Sequence, residues 1–358
     1  MKPIALSETT RGRAYPGTVP RPLVIGHRGA PGYLPEHTRS SYLLALENGV
    51  DAVEPDVVFS RDGVAVIRHE NEIGSTTDVA DHAEFASRRT TKTVDGAAVA
   101  GWFAEDFTWD ELSRLRCRER LPQLRPDSAR RDGAEPMLRL QDLFDLVADF
   151  AERSGRRPGV VVEIKHATFF ADAGFDVAAL IGAELATRRP DAARLPLWIE
   201  SFELTVLDRL ADAGVPGTRV FLLEADGAPY DLVAAGGEHV RGYRAWASPA
   251  GLDALRGRVA GVSLDKRMIL DPPRGAGGGR DLVGAAHERD LLVFTWTARP
   301  ENAFLVRRHR RGGGRSAWGD YRGEWAELAA SGVDGVFVDH PDIGVDAFTH
   351  VHRPLSRT

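Results

Sequence analysis

Short hydrophobic runs rich in β-branched residues recur along the chain, and longer amphipathic segments separate most of them. Each run is nearly continuous in apolar residues, as expected for strands that are covered on both faces. Eight runs predict strands at Leu23–His27, 52–59, Gly159–Ile164, 196–202, 219–223, 259–264, 291–296 and Gly335–Val338. The intervening segments predict helices at 38–48, 140–153, 175–188, 204–213, Pro249–Leu255, 281–290 and 324–330. This alternation predicts an α/β protein built as a (β/α)8 TIM barrel.

One region interrupts the alternation. Residues 63–69 predict a strand that pairs with the end of the 52–59 run across the Arg61-Asp62-Gly63 turn. Residues 70–135 are rich in charge, threonine and glycine, with one helical patch predicted at 109–118. We interpret 70–135 as an insertion in an early βα connection, where such loops lie over the barrel mouth. The predicted organisation is therefore an N-terminal extension at 1–22, a barrel at 23–345 that contains the insertion, and a C-terminal tail at 346–358.

Composition narrows the class of partner. The net charge of −6 argues against nucleic acid, since phosphate backbones call for a basic face. The single cysteine, Cys117, excludes an internal disulfide and a cysteine-based zinc site, and we interpret it as a buried, inert thiol. No apolar segment typical of a signal peptide or of a membrane span is visible, so we expect a cytoplasmic protein, with secretion as the alternative.

Polar residues collect where the predicted strands end. They are His27, Arg28, Glu54, Asp56, Glu163, Lys165, Glu200, Ser201, Trp296 and Asp339, with His69 at the end of the hairpin strand. In a (β/α)8 barrel that end carries the active site, although each residue alone could be a solvated group or a helix cap. Glu54 and Asp56, two positions apart, share one face of a strand, and with Glu163 they form an oxygen-only set suited to Ca²⁺ or Mg²⁺. A metal, a guanidinium and an imidazole together predict phosphate-ester chemistry.

Seven segments resemble the glycerophosphodiester phosphodiesterase family, in the family's order and from about residue 23 to 342. They are His27-Arg-Gly-Ala-Pro-Gly-Tyr-Leu-Pro-Glu-His-Thr38, Asp51-Ala-Val-Glu-Pro-Asp-Val57, Val66-Ile-Arg-His-Glu70, Val162-Glu-Ile-Lys165, Glu200-Ser-Phe202, Phe294-Thr-Trp-Thr297 and Gly332-Val-Asp-Gly-Val-Phe-Val-Asp-His-Pro341. The insertion, with Arg118-Glu-Arg-Leu-Pro122 among its motifs, resembles the bacterial GlpQ-type branch, whose members act on deacylated phospholipid head groups.

The resemblance implies a (β/α)8 fold and metal-dependent hydrolysis of glycerophosphodiesters, such as glycerophosphocholine or glycerophosphoethanolamine, to glycerol 3-phosphate and an alcohol. The family reaction runs through a cyclic phosphate, formed by attack of the substrate's own 2-hydroxyl. By position, the catalytic histidines are His27 and His69. One divalent cation, Ca²⁺ or Mg²⁺, has as its implied ligands Glu54, Asp56 and Glu163. Substrate contacts are implied for Arg28, Lys165, Phe202 and Trp296.

The chain departs from the usual family pattern at two positions beside these motifs. His37 stands where the family usually has Asn after Pro-Glu, and Glu70 stands where an Asp usually follows the second histidine. The segment 71–77 also lacks a Leu-Asp-Arg run that is common elsewhere in the family. None of these changes replaces a catalytic atom, so we expect them to alter the geometry of the loops and the choice of head group.

Three other functions fit parts of the pattern. A lysophospholipase D or sphingomyelinase D would need an apolar rim or a basic membrane-binding helix, and the insertion is polar and charged. An exo-hydrolase of glycerophosphate polymers such as teichoic acid would need export. A non-catalytic binding barrel predicts the loss of a histidine or of a metal carboxylate, and all are present. We therefore expect a small-molecule glycerophosphodiester as the partner, with the oligomeric state left open.

Overall fold

The computed structural model describes residues 21–236, 240–272 and 279–349. All but the last two residues of the predicted N-terminal extension lie outside this range, as do residues 350–358 of the predicted tail. Residues 346–349 belong to the last helix of the barrel.

Twelve strands form the described sheets. Their bounds are β1 Leu23–His27, β2 Ala52–Glu54, β3 Asp56–Phe59, β4 Ala65–Ile67, β5 Thr90–Val94, β6 Ala97–Gly101, β7 Gly159–Ile164, β8 Leu197–Ser201, β9 Thr218–Leu223, β10 Gly261–Asp265, β11 Leu292–Ala298 and β12 Gly335–Val338. Parallel pairing runs from β1 through β2, β7, β8, β9, β10, β11 and β12 and returns to β1, which closes the barrel. The predicted eight-stranded (β/α)8 barrel is confirmed.

The second barrel strand is divided in two. Pro55 separates β2 from β3 because proline has no N–H to donate to the ladder. Both halves nevertheless pair with β7 in one register, Ala52 opposite Gly159 and Asp56 opposite Glu163. The predicted run at 52–59 therefore acts as one barrel strand, and its carboxylates at 54 and 56 follow each other at the mouth.

Fourteen α-helices among the described residues cover the barrel and its loops. Their bounds are α1 Arg39–Glu47, α2 Trp109–Leu112, α3 Pro126–Ala129, α4 Leu140–Ser154, α5 Ala167–Asp172, α6 Val177–Ala186, α7 Leu204–Asp212, α8 Tyr230–Ala234, α9 Tyr243–Trp246, α10 Pro249–Leu255, α11 Lys266–Leu270, α12 Gly279–His287, α13 Tyr321–Ser331 and α14 Pro341–Thr349. The seven predicted helices are all present, with ends that differ by a few residues. The short helices α5, α8 and α11 follow strands β7, β9 and β10 at the barrel mouth and were not predicted, and neither were α3, α9 and α14. Within the described residues, no helix is both long and apolar enough to cross a bilayer.

The inside of the barrel is filled by a small apolar cluster. Its buried members are Ile25, Ala52, Val161, Trp198, Val220, Phe294 and Phe337, one from each of seven barrel strands. Successive residues of a strand face opposite sides, so the residue two positions further along each strand also faces inward, nearer the mouth. Those next inward positions are His27, Glu54, Glu163, Glu200, Leu222, Trp296 and Asp339. The alternation that builds the core thus delivers the polar side chains to one place.

The hairpin and the insertion follow β3. Strand β4 pairs antiparallel with β3, as predicted. Strands β5 and β6 form a separate hairpin, not predicted from the sequence, across the left-handed pair Asp95 and Gly96. The tip of this hairpin contacts the barrel mouth, where Asp95 Oδ2 lies 2.6 Å from His166 Nδ1.

The predicted helical patch at 109–118 is wrong beyond its first turn. Helix α2 ends at Leu112, and the backbone that follows bonds to distant segments instead. Cys117 N donates to Glu135 O at 2.8 Å and Arg118 N donates to Thr76 O at 2.8 Å. Tertiary hydrogen bonds therefore override the local preference for helix. Cys117 is buried as predicted, its thiol contacts the Arg68 guanidinium, and burial raises the pKa of that thiol.

Candidate active site

A cavity of about 920 Å³ opens at the carboxyl ends of the barrel strands. Eight of the nine predicted site residues line it: His27, Arg28, Glu54, His69, Glu163, Lys165, Phe202 and Trp296. The ninth, Asp56, does not line this cavity and is buried beside Arg28. The structure therefore brings together residues that are more than 200 positions apart in the sequence.

Three buried carboxylates converge at the cavity wall. Ligand oxygens of Glu54, Glu163 and Glu200 all lie within 4.8 Å of one another. Burial, together with the neighbouring negative charges, raises the pKa of Glu54 and of Glu200 well above the ordinary range. Burial likewise raises the pKa of Glu163 to about 8, although Lys165 opposes the change. Without a cation, this arrangement disfavours ionisation of the carboxyl groups.

The acidic trio fits a hard divalent cation. Glu54 Oε1 and Glu200 Oε2 are buried and have no hydrogen-bond partner among the described residues. Buried polar oxygens normally have a partner, and oxygen donors of this kind suit Ca²⁺ or Mg²⁺. The residues present therefore match the expected metal, with Glu200 as a member that the predicted ligand set did not include.

Asp56, predicted as a ligand, is held mainly by cationic and imidazole groups. Its Oδ2 lies 3.1 Å from Arg28 Nε and accepts from His37 Nε2 at 3.0 Å. Burial opposes ionisation, but the surrounding positive charges hold the pKa of Asp56 well below its usual value. Its Oδ1 is buried without a hydrogen-bond partner among the described residues, with Lys165 Nζ 3.8 Å away. One oxygen of Asp56 thus remains available to a cation beside the trio.

His27 lies at the end of β1 between a carboxylate and a guanidinium. Its Nδ1 is 2.7 Å from Asp339 Oδ1, and its Nε2 accepts from Arg28 Nε at 3.2 Å. These partners assign the proton to Nδ1 and leave the Nε2 lone pair facing the cation. Burial and the charge of Arg28 lower the pKa of His27 to about 4, so the ring is neutral at pH 7.

His69 has the same arrangement two residues beyond the end of β4. Its Nδ1 is 2.5 Å from Glu70 Oε1, and its Nε2 is 3.2 Å from Lys165 Nζ. Burial and the charges of Arg28 and Lys165 lower the pKa of His69 to about 3. Both histidines are therefore neutral, with Nδ1 bonded to a carboxylate and Nε2 beside a cation.

Arg28 and Lys165 connect the acidic trio to the histidines. The Arg28 backbone N–H donates to Glu54 Oε2 at 2.9 Å, and Lys165 Nζ donates to Glu163 Oε1 at 2.6 Å. Arg28 sits in the left-handed region at φ 55°, followed by Gly29 at φ 92°. A Cβ at Gly29 would lie 2.6 Å from Ser41 Oγ, so this tight turn requires glycine. Two fixed cations so placed can bind phosphate oxygens.

Aromatic rings form one side of the cavity. Phe202 and Trp296 pack edge to face with ring centroids 5.5 Å apart, and Lys165 Nζ lies 5.4 Å from the Phe202 centroid. The indole N–H of Trp296 donates to Ser263 O at 3.2 Å, which fixes the ring. The predicted aromatic residues therefore stand next to the predicted phosphate contacts.

The family assignment follows from comparison of the whole sequence. A model of the glycerophosphoryl diester phosphodiesterase family matches residues 27–343, which include every predicted site residue. The chain belongs to this family. Its members are phosphoric diester hydrolases, in agreement with the constellation of histidines, cations and carboxylates in the cavity.

Two curated relatives are named glycerophosphodiester phosphodiesterases, and a solved phosphodiesterase shares the fold. Glycerophosphodiester phosphodiesterase GDPD6 of Arabidopsis thaliana is 30% identical over 353 residues, covering 93% of this chain and 87% of the plant protein. The glycerophosphodiester phosphodiesterase of Treponema pallidum is 26% identical, covering 78% and 81% of the two chains. A phosphodiesterase of Oleispira antarctica, solved with the product sn-glycerol-3-phosphate, superposes with a TM-score of 0.60 at 19% identity, over 92% and 97% of the chains. That structure supports the barrel fold of the family.

Sequence reasoning missed two residues that the inward alternation could have identified. Glu200 follows the core residue Trp198 by two positions and pairs in register with Glu163 on the neighbouring strand. Asp339 follows the core residue Phe337 by two positions and contacts His27. Both stand at predicted strand ends, and neither belongs to the predicted set of catalytic, metal and substrate residues.

Proposed function

We propose that the protein hydrolyses glycerophosphodiesters of small alcohols to glycerol 3-phosphate and the free alcohol in a metal-dependent reaction. One observation carries the proposal. Two neutral histidines face the cavity, and each presents its Nε2 to a cation that also contacts the acidic trio. A phosphodiester needs such cations for its oxygens and two proton-transfer groups for the attacking and leaving oxygens.

Arg28 and Lys165 are the proposed phosphate contacts. Both are buried, so their charges act in a medium of low dielectric constant and are worth more than at the surface. An anionic phosphodiester beside them offsets the positive charge that lowers the pKa of His27 and of His69. Substrate binding therefore favours protonation of one histidine, which a general acid requires.

We assign His27 as the base and His69 as the acid. The base removes the proton from the substrate's 2-hydroxyl, and the acid donates a proton to the departing alkoxide. The His69 side chain is 27% exposed and the His27 side chain 10%, so His69 stands nearer the side from which a leaving group departs and a proton arrives. The roles reverse when water opens the cyclic phosphate.

The residues that would hold the metal are Glu54, Glu163 and Glu200, with the free oxygen of Asp56 beside them. When bound, a divalent cation supplies Lewis-acid stabilisation of negative charge on the phosphoryl oxygens.

The cavity favours a deacylated substrate. Its volume suits a small ligand, and its lining is dominated by charged and aromatic groups. Among the described residues, the exposed large hydrophobic side chains are Val233, Val240 and Trp318, and none of them lines the cavity. A substrate that kept its fatty chain would call for an apolar rim.

The test is release of glycerol 3-phosphate from glycerophosphocholine, glycerophosphoethanolamine and glycerophosphoinositol, with Ca²⁺, with Mg²⁺ and with chelator. We expect metal-dependent release with the wild-type protein, loss with His27→Ala, and no change with His82→Ala, a surface histidine of the insertion. No release from any of these substrates, by a folded protein in either metal, would contradict the proposal. Lysophospholipids would be tested next.

A further inference from the structure

Two arginines of the insertion contact carboxylates beside the histidines of the active site. Arg120 and Arg125 belong to the 70–135 segment, and neither was assigned a role from the sequence. Both guanidinium groups reach the carboxylates that hold the catalytic histidines, Arg120 at Glu70 and Arg125 at Asp339. In both contacts, an arginine of the insertion bonds to the carboxylate that lies on the Nδ1 atom of a histidine.

Arg125 bridges three acceptors from a buried position. Its Nη2 donates to Asp339 Oδ2 at 2.6 Å, its Nε to Glu301 Oε1 at 2.9 Å and its Nη1 to Pro31 O at 3.0 Å. Arg299 Nε also donates to Asp339 Oδ2, at 2.6 Å. Two guanidinium groups therefore bond to Oδ2 of Asp339 and fix the carboxylate. Its other oxygen, Oδ1, points to His27 Nδ1.

Arg120 is the corresponding group for His69, through Glu70. Its Nη1 donates to Glu70 Oε1 at 2.7 Å, and its Nη2 lies 2.6 Å from Glu70 Oε2. The same guanidinium bonds to Glu36, which in turn accepts from Arg28 Nη1 at 3.1 Å. The Glu70 side chain is 33% exposed, so without Arg120 it has room to rotate away from His69.

We propose that Arg120 and Arg125 are positioning residues, through which the insertion fixes the orientation and tautomer of His69 and His27. The expected effect on kcat rests on the proposed function, whereas the effect on the orientation and tautomer of the two histidines does not. A carboxylate on Nδ1 keeps the proton there and leaves Nε2 as the proton acceptor. An arginine suits this task because its planar, forked guanidinium group can bond to two carboxylates at once. A lysine ammonium group is a single point charge and does this less well.

The kinetic test uses Arg120→Met and Arg125→Lys, with Arg130→Met as the matched control. Arg130 belongs to the same insertion, and its side chain is 78% exposed. We expect kcat to fall about 10- to 100-fold in the two test variants, with KM changed much less, because misplaced histidines slow the chemistry more than binding. The control should retain wild-type kcat. Equal loss in all three variants, or a loss confined to KM, would overturn the proposal.

A double-mutant cycle tests whether Arg120 acts through Glu70. If it does, Arg120→Met, Glu70→Gln and the double variant lose similar factors in kcat, because the second change removes an interaction already lost. Independent, multiplied losses would show that Arg120 acts by another route, such as Glu36.

Nuclear magnetic resonance separates this proposal from the proposed function. In ¹⁵N-labelled protein, imidazole shifts distinguish Nδ1–H from Nε2–H tautomers, whether or not any substrate is turned over. We expect Arg120→Met to disturb the tautomer of His69 alone and Arg125→Lys that of His27 alone. If Arg125→Lys fails to fold, Arg120→Met still decides, because the Arg120 side chain is less buried than that of Arg125. Unchanged His69 signals in a folded Arg120→Met variant would refute the inference, and wild-type protein without hydrolysis would refute only the function.

Discussion

Glu200→Gln is the change that best tests the acidic trio. It keeps the shape of the side chain and removes one negative charge from three carboxylates whose oxygens lie within 4.8 Å. At an effective dielectric constant near 20, each ionised pair at this distance repels by about 3.5 kcal/mol. Glu200 takes part in two of the three pairs. The repulsion is relieved either by protonation, as the raised pKa values indicate, or by a cation.

Two effects of opposite sign follow. In chelator, the variant should be at least as stable as the wild type, because a source of repulsion and of buried charge is gone. When metal is added, the variant should gain less stability than the wild type gains. Removal of a group that only orients a metal ligand weakens metal binding by up to about 100-fold. We therefore expect the loss of a direct ligand to weaken metal binding by at least about this factor. At metal concentrations that saturate the wild type, this removes about 2.7 kcal/mol of stabilisation, which corresponds to roughly 4 °C in Tm for a chain of this length.

The assay is thermal unfolding in chelator and across a titration of Ca²⁺ and of Mg²⁺, with glycerol 3-phosphate release measured in parallel. Glu224→Gln is the matched control, because Glu224 lines the same cavity but does not belong to the trio. We expect activity of Glu200→Gln to be lost at low metal and partly restored at high metal. A variant with the wild-type metal response, or with a lower Tm in chelator, would refute the assignment of Glu200.

Three further predictions concern single residues of the site. His69→Ala should lose about 10²- to 10⁴-fold in kcat while calorimetry still detects substrate binding; unchanged turnover would remove it from the mechanism. The pKa of Glu163 is raised from 4.5 to about 8, so in chelator the stability that the protonated Glu163 contributes is lost as the pH rises between these values. We therefore expect the unfolding free energy of the wild type, minus that of Glu163→Gln, to fall by about 2 kcal/mol or more over this range. A difference that does not change with pH would contradict this prediction. His37→Asn should keep most activity because an amide can replace the imidazole donor to Asp56, whereas His37→Leu should cost about 1.5–3 kcal/mol in unfolding free energy; equal stabilities of the two variants would count against this role.

The barrel and the outline of its site were predictable from the sequence because both follow from local periodicity. Buried parallel strands read as short apolar runs, and polar residues at their ends mark the mouth. Resemblance to a family added the assignment of His27, His69 and the other site residues. The hairpin β5–β6 was missed although Asp95-Gly96 is a typical hairpin turn, whereas the short helices were missed because helices of four to six residues carry weak local signals.

The remaining parts of the site depend on contacts between distant segments. Arg125 lies 214 positions from Asp339, and nothing in the local sequence of either predicts their pairing. Inward alternation points to Glu200, but local sequence does not show that Asp56 is held away from the trio, because that depends on its contacts with Arg28 and His37. His37 itself, a departure from the family pattern, proves to be a buried donor to Asp56 with Nδ1 2.7 Å from Tyr42 Oη.

The two histidines are poised by the same pair of opposed contacts. In each ring the outer nitrogen, Nδ1, bonds to a carboxylate, and the inner nitrogen, Nε2, accepts from a cation, Arg28 or Lys165. In the proposed reaction, a phosphodiester that accepts hydrogen bonds from Arg28 and Lys165 competes with both histidine Nε2 atoms for these donors. Binding of the anion therefore frees the two Nε2 atoms for proton transfer and, at the same time, weakens the positive field that keeps both rings neutral. Substrate binding itself would thus prepare the acid–base pair.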